Sequence, residues 1–152
     1  KTKQEIKIMA LKKNLSTASN TAVTGYKKCF FKLGQQILEE GDIGEEMFII
    51  SKGSVEVSKN VDGNRVVLMK LGRGEFFGEM SLLEGLTRSA DVYATEDSEL
   101  ISISSGGLLL KIRRDPTFAI EMLRSFSGRL RIANQKYGQQ LTKAYGEKGN
   151  FV

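Results

Sequence analysis

The sequence predicts a mainly β domain of the barrel or jelly-roll kind, with helices after it. Three observations carry that reading. Strand-like runs fall near 30–33, 36–38, 47–50, 54–58, 65–71, 90–94 and 98–103, separated by turns that hold glycine or an acid. Val55 and Val57, then Val66 and Leu68, alternate with polar neighbours as half-buried strands do. Beyond Leu108 the apolar period lengthens to that of a helix. Many short strands at regular spacing favour a barrel or jelly roll over a βαβ fold.

Taken in order, residues 1–28 read as a basic N-terminal helix or linker. Residues 4–15 suit a short helix with Ile6, Met9 and Lys13 on a weakly apolar side, and Ser16 to Thr21 reads as a loop. Residues 29–110 form the β core, in which Asp62-Gly63 between two strand-like runs is a hairpin signal. Leu108 to Arg113 reads as a short helix. Asp115-Pro116 then marks a helix start, with Asp as cap and Pro at the first helical position. Phe118, Met122, Phe126, Leu130, Ala133, Tyr137 and Leu141 recur at spacings of four and three, one apolar stripe on a helix over 111–145. Gly128, Gly138 and Gly146 interrupt it at roughly 1 kcal/mol each relative to Ala. Residues 146–152 read as a frayed tail.

Composition narrows the chemistry. A chain of 152 residues is enough for one domain with a core. It contains no histidine, so neither a histidine-based triad nor a histidine-rich metal site can be built, and a metal cupin is excluded. Catalysis by carboxylates alone stays open, but nothing points to it; no catalytic residue, metal or cofactor is expected. One cysteine, Cys29, rules out an internal disulfide framework and fits a reducing compartment, so the cytoplasm is the expected location. No apolar run approaches the ~20 residues of a membrane span. The chain begins at Lys1 rather than Met, which reads as a processed chain or a piece of a longer one.

Charge is unevenly spread. Residues 1–28 carry +6, residues 29–110 carry −7 and residues 111–152 carry +6. Basic ends of this kind can meet nucleic acid or acidic lipid, but charge runs are more often solvated faces. Nucleic acid is not expected as a partner of this chain alone.

The stretch from Phe76 to Ala90 organises the rest. Aromatic residues that can pack inward precede a glycine, then Glu-Met-Ser-Leu-Leu, then an arginine beside a serine. A helical turn begun by glycine leaves backbone N–H groups free for an anion. Arg88 adds a planar charged fork matched to phosphate oxygens. Glu79 is unfavourable for a bare anion but suited to a hydroxyl beside it. A ligand with both a phosphate and a sugar hydroxyl satisfies all three.

At these residues the sequence resembles the phosphate-binding cassette of the cyclic nucleotide-binding domain family, the sensor module of catabolite activators and protein kinase A regulatory subunits. The matching elements are Phe77-Gly78-Glu79, Ser81-Leu82-Leu83 and Arg88-Ser89-Ala90, preceded by Gly41-Asp42, Met47 to Ile50, Gly53 and Val55-Glu56-Val57. The likeness runs from about Phe30 to about Tyr137. It implies a β-roll, a jelly-roll-like barrel, with an internal short phosphate-binding helix and a C-terminal helical lid. It also implies ligand contacts from Phe77, Gly78, Glu79, Met80, Ser81, Arg88, Ser89 and Ala90. Glu79 would meet the ribose 2′-hydroxyl, Arg88 the cyclic phosphate and Ser89 phosphate or base. The adenine-contacting Thr-Ser pair of the catabolite activator branch is replaced by Ala133-Asn134, so Asn134 is the base-contacting candidate. A serine after the arginine stands between the family's cyclic AMP and cyclic GMP preferences; with no other guanine-reading group, cyclic AMP is favoured.

Each residue also has a plainer role. Arg88 can be a surface arginine paired with Glu84 or Asp91, Glu79 a solvated helix-start acid, and Leu82 and Leu83 core anchors, which is the better reading for the leucines. The reading of the whole is a sensor rather than an enzyme, coupling ligand capture to movement of the C-terminal helix. A homodimer through the Phe118–Leu141 helix and an attached or associated effector domain are the expected protein partners. The alternative is a ligand-free scaffold or dimerisation domain of the same fold.

Overall fold

The computed structural model describes residues 25–146; the expected helix over 4–15, the loop after it and the tail beyond Gly146 lie outside the described residues. The chain divides into two compact units between Leu110 and Lys111.

The first unit opens with β1 (Tyr26–Phe31), β2 (Gln36–Leu38), β3 (Glu46–Lys52), β4 (Val55–Val61) and β5 (Asn64–Leu71). It continues with β6 (Phe76–Phe77), α1 (Glu79–Glu84), β7 (Asp91–Ala94) and β8 (Ser98–Ser104). The strands form two antiparallel four-stranded sheets, ordered β1-β8-β3-β6 and β2-β7-β4-β5. Phe48, Ile50, Phe77 and Leu100 of one sheet and Val55, Leu71 and Val92 of the other make a shared core. This is the expected β-roll. Met47 to Ile50 of β3 are all buried, so this part of the strand reads as an unbroken apolar run rather than an alternation.

β1 starts at Tyr26, earlier than the sequence reading placed it. Lys27 and Lys28 hide the strand from an apolar count, but Tyr26 is buried and Lys28 pairs with Glu99 across the ladder at 3.5 Å. The strand ends at Phe31 because Lys32 opens a turn, its carbonyl accepting from the Gln35 N–H at 3.0 Å. Cys29 of β1 is half-buried against the core, and that burial pushes its thiol pKa up.

The β4–β5 hairpin turns on Asp62-Gly63, as its sequence predicts. Val61 faces Asn64, and the two turn residues have φ of 51° and 80°, the left-handed pair that a two-residue hairpin requires. β5 lies at the edge of its sheet, and every residue from Asn64 to Lys70 is exposed.

After β8 comes α2 (Ser105–Arg114), longer than the predicted 108–113 segment. Two glycines at its start concealed it. Ser104 accepts the Gly107 N–H on its hydroxyl at 3.2 Å, a serine cap that starts the helix early. A Cβ on Gly107 would stand 2.6 Å from the Gly25 carbonyl oxygen, so the glycine permits a close backbone approach.

The second unit contains α3 (Pro116–Gly146), which runs through Gly128 and Gly138 without a break. Asp115 caps it. Its carboxyl accepts from the Thr117 hydroxyl, from Lys111 Nζ at 3.2 Å and from the Phe118 N–H, and Lys111 Nζ also lies 5.5 Å from the centre of the Phe118 ring. The Thr117 hydroxyl bond, ahead of Lys111 and against the effect of burial, holds the Asp115 carboxyl below the usual carboxylate range. A depressed acid stabilises the fold above its unfolded pKa and loses that contribution as pH falls through its folded one. Asp115→Ala is therefore expected to cost about 1 kcal/mol at neutral pH. Thermal melts at pH 7 and in steps down to pH 3 check this: the gap between variant and parent should narrow with acid. A gap that is constant down to pH 3 contradicts the capping role.

Candidate functional site

The chain reverses at Gly78, between β6 and α1. Gly78 has φ 79° and ψ 6°, a conformation that side chains resist, and it caps α1 without any side-chain cap bond. Phe77 just before it is buried and stacked on Phe48, with ring centres 5.3 Å apart. The cassette is thus bolted to the core on its entering side. Gly85, also left-handed, ends α1 with its N–H on the Ser81 carbonyl.

α1 buries its polar residues. Glu79 and Ser81 point inward while Leu83 is 56% exposed and Leu82 half-buried. This corrects the expectation that the leucines anchor the helix. The reason is Arg88, whose buried guanidinium needs acceptors on that side. Arg88 is 6% exposed, and its Nη1 donates to the Gly78 carbonyl at 2.8 Å and to the Ser81 hydroxyl at 2.6 Å. Its backbone is zipped to the loop before β3: Gly41 N–H bonds to the Arg88 carbonyl at 2.9 Å, and Arg88 N–H to the Asp42 carbonyl at 2.8 Å.

Among the described residues no carboxylate lies within ion-pair distance of Arg88. Burial pushes its pKa down, against the pull of Glu46, Asp42 and Glu79 nearby. The surface-arginine reading, with Glu84 or Asp91 as partner, does not describe this side chain. Asp91 instead accepts the Glu40 N–H at 2.8 Å.

The remaining candidates are placed differently. Ala90 is buried at the entry to β7, and Ser89 is exposed with its hydroxyl 3.8 Å from the sulfur of the exposed Met80. Asn134 is exposed on α3, in the second unit. Gly44 was not singled out by the sequence. A Cβ there would fall 2.1 Å from Arg88 Nε and 2.2 Å from Cζ and Nη2, so the guanidinium lies flat against this glycine. The only sequence trace is a second glycine three residues after Gly41.

Beside α1 lies a cleft of about 460 Å³, walled by Ile43 to Glu45, by Ser81, Leu82, Gly85 and Leu86, and by Ser104 to Gly106. It shares Ser81 with the candidate residues but not Glu79, Arg88 or Ser89, and two of its wall residues, Ser81 and Gly44, lie against the Arg88 guanidinium. Among the described residues no cluster of three or more potential metal ligands occurs, and no helix is long and apolar enough to cross a membrane.

Comparison with known proteins agrees with this architecture. The cyclic nucleotide-binding domain family matches residues 28–115. The cyclic AMP receptor protein of Thermus thermophilus is 34% identical over 114 residues, 74% of this chain and 53% of that protein. The cAMP-dependent protein kinase regulatory subunit of Eremothecium gossypii is 34% identical over 103 residues, 67% of this chain and 22% of that protein. The chain thus spans about half of one relative and less than a quarter of the other. The crystal structure of Thermus thermophilus catabolite activator protein superposes with a TM-score of 0.70 at 30% identity, covering 84% of this chain and 59% of that one. With the β-roll, the glycine-capped short helix and the buried arginine in place, the chain belongs to the cyclic nucleotide-binding domain family.

Proposed function

We propose that this domain is a sensor without catalytic activity of its own, taking cyclic AMP in preference to cyclic GMP and coupling its capture to movement of the C-terminal helix. Arg88 and the N–H groups after Gly78 pair with the cyclic phosphate, Glu79 holds the ribose 2′-hydroxyl and Ser89 meets phosphate or base. The observation that carries this reading is the burial of Arg88 with no carboxylate at ion-pair distance among the described residues. A desolvated guanidinium whose bonds among the described residues go to a carbonyl and a hydroxyl is a costly arrangement, and a phosphate offsets the cost.

The preference for cyclic AMP is supported by the names of the relatives, a cyclic AMP receptor and a cAMP-dependent kinase subunit. Asn134 on α3 offers a donor and an acceptor to a purine edge. Ligand shifts the position of such a lid only by the difference in its affinity for the two lid states, so the base contact sets the output. Leu130, Tyr137 and Leu141, exposed along α3, support pairing of this helix with its copy in a homodimer. The greater length of the relatives supports an attached or associated effector domain, working in the cytoplasm.

Isothermal titration of cyclic AMP and cyclic GMP into the purified chain tests the proposal. Micromolar or tighter binding is expected, with cyclic AMP the tighter. No heat and no thermal shift with either nucleotide would favour the ligand-free scaffold.

A further inference from the structure

Two exposed side chains follow directly on two buried ones that the nucleotide reading uses. Glu79 and Arg88 are buried, whereas Met80 is 50% exposed and Ser89 is exposed beside it. The Ser89 hydroxyl donates to the Met80 sulfur at 3.8 Å, joining the start of α1 to the residue after the arginine. A thioether is a weak acceptor, so this bond holds Ser89 loosely and leaves its proton available to a ligand. That weakness depends on the oxidation state of the sulfur.

Among the described residues, Met80 is the thioether most open to an oxidant. Met47 and Met122 are buried, and Met69 on β5 is 37% exposed. Cys29 competes poorly, because burial raises its thiol pKa and lowers the share of reactive thiolate. Hydrogen peroxide converts such a thioether to a sulfoxide. One oxygen atom passes to sulfur as the O–O bond breaks; sulfur gives up two electrons, and the peroxide leaves as water with both protons. The side chain then carries a polar S=O group in place of an apolar sulfur. An oxygen added on the side facing Ser89 shortens the gap to the range of an ordinary O–H···O bond, about 2.5–3.0 Å.

We propose that Met80 is a site of reversible sulfoxidation, and that its sulfoxide captures the Ser89 hydroxyl and so weakens nucleotide binding. The inference rests on the reading that Ser89 meets the phosphate or base of the nucleotide. As a thioether, Met80 leaves Ser89 free to turn to the ligand; as a sulfoxide, it holds the hydroxyl as a competing acceptor. Losing one hydrogen bond of this kind corresponds to about threefold to tenfold in affinity. Methionine sulfoxide reductases return the thioether, which makes the change reversible.

The test treats the full chain with dilute hydrogen peroxide. Peptide mass spectrometry reads sulfoxide at each methionine, and titration calorimetry reads cyclic AMP affinity before and after. Met80 should be oxidised ahead of Met69, Met47 and Met122, and affinity should fall about threefold to tenfold with the Tm unchanged. Treatment with two sulfoxide reductases, one for each epimer, should restore it. Met69→Leu should respond to peroxide as the parent does, and Met80→Leu, whatever its own affinity, should not respond. Ser89→Ala should still be oxidised at Met80, yet its affinity should change by less than about twofold, because the hydroxyl to be captured is gone. Unchanged affinity in a parent fully oxidised at Met80 overturns the proposal and leaves the nucleotide reading intact, as does an equal loss in Ser89→Ala. Oxidation of Met69 ahead of Met80 also overturns it. No cyclic AMP binding before peroxide is added would remove the nucleotide reading, and this inference with it.

Discussion

Arg88→Ala should weaken cyclic nucleotide affinity by about 100-fold or more, with the domain still folded. Each hydrogen bond from a charged donor contributes roughly 1.5–3 kcal/mol, and about 2.7 kcal/mol is already a hundredfold. The guanidinium is buried and its bonds among the described residues are to a carbonyl and a hydroxyl, so the phosphate is the full charge the proposal gives it. Removing the side chain deletes a desolvated charge, and the Ser81 hydroxyl keeps the Gly78 carbonyl as a partner at 3.3 Å. The Tm should therefore change much less than the affinity. Arg88→Lys separates charge from shape. A lysine keeps the attraction but lacks the planar fork, so about a tenfold loss is expected. Titration calorimetry of both variants beside the parent reads the result; unchanged affinity in a folded Arg88→Ala protein would remove the phosphate role.

Gly44→Ala should weaken binding about tenfold to a hundredfold through a residue that the proposal places nowhere on the ligand. The new methyl would overlap Arg88 Nε, Cζ and Nη2 at 2.1 to 2.2 Å. Relief must come from whichever partner moves more cheaply, and a flexible side chain moves more cheaply than a packed loop. Arg88 would leave its bonds to Gly78 and Ser81, a misplacement worth about 1–3 kcal/mol in overpacking terms. Gly72→Ala is the matched control, since a Cβ there meets nothing within 4 Å. It should alter neither Tm nor affinity. If Gly44→Ala binds like the parent, Arg88 is not held where the phosphate needs it.

Local signals were the legible part of this chain. Asp62-Gly63 dictates its own hairpin because both residues tolerate the left-handed region. Asp115-Pro116 starts a helix because capping and a fixed proline φ act within one turn. The cassette order from Phe77 to Ala90 likewise could be read in one pass. Contacts between distant residues were hidden. Nothing adjacent to Gly44 shows that an arginine 44 positions later will lie on it, and nothing in a run of leucines shows that α1 will bury Glu79 and Ser81 instead. The start of β1 was masked by Lys27 and Lys28, which keep their charges in water while the strand pairs with β8.

The exposed edge strand β5 has a consequence beyond the binding site. Val66, Val67, Leu68 and Met69 stand in a row there, 37–46% exposed. Four apolar residues on an open edge are a template for intermolecular strand pairing, the seed of insoluble assemblies. Arg65 and Lys70 bracket the row, and both are turned to Glu56 on β4, at 2.9 Å and 4.0 Å. Charges in these positions act as gatekeepers: they repel an incoming strand at either end of the apolar stretch. Colloidal stability of the β-roll thus rests on two cations, whichever ligand it carries.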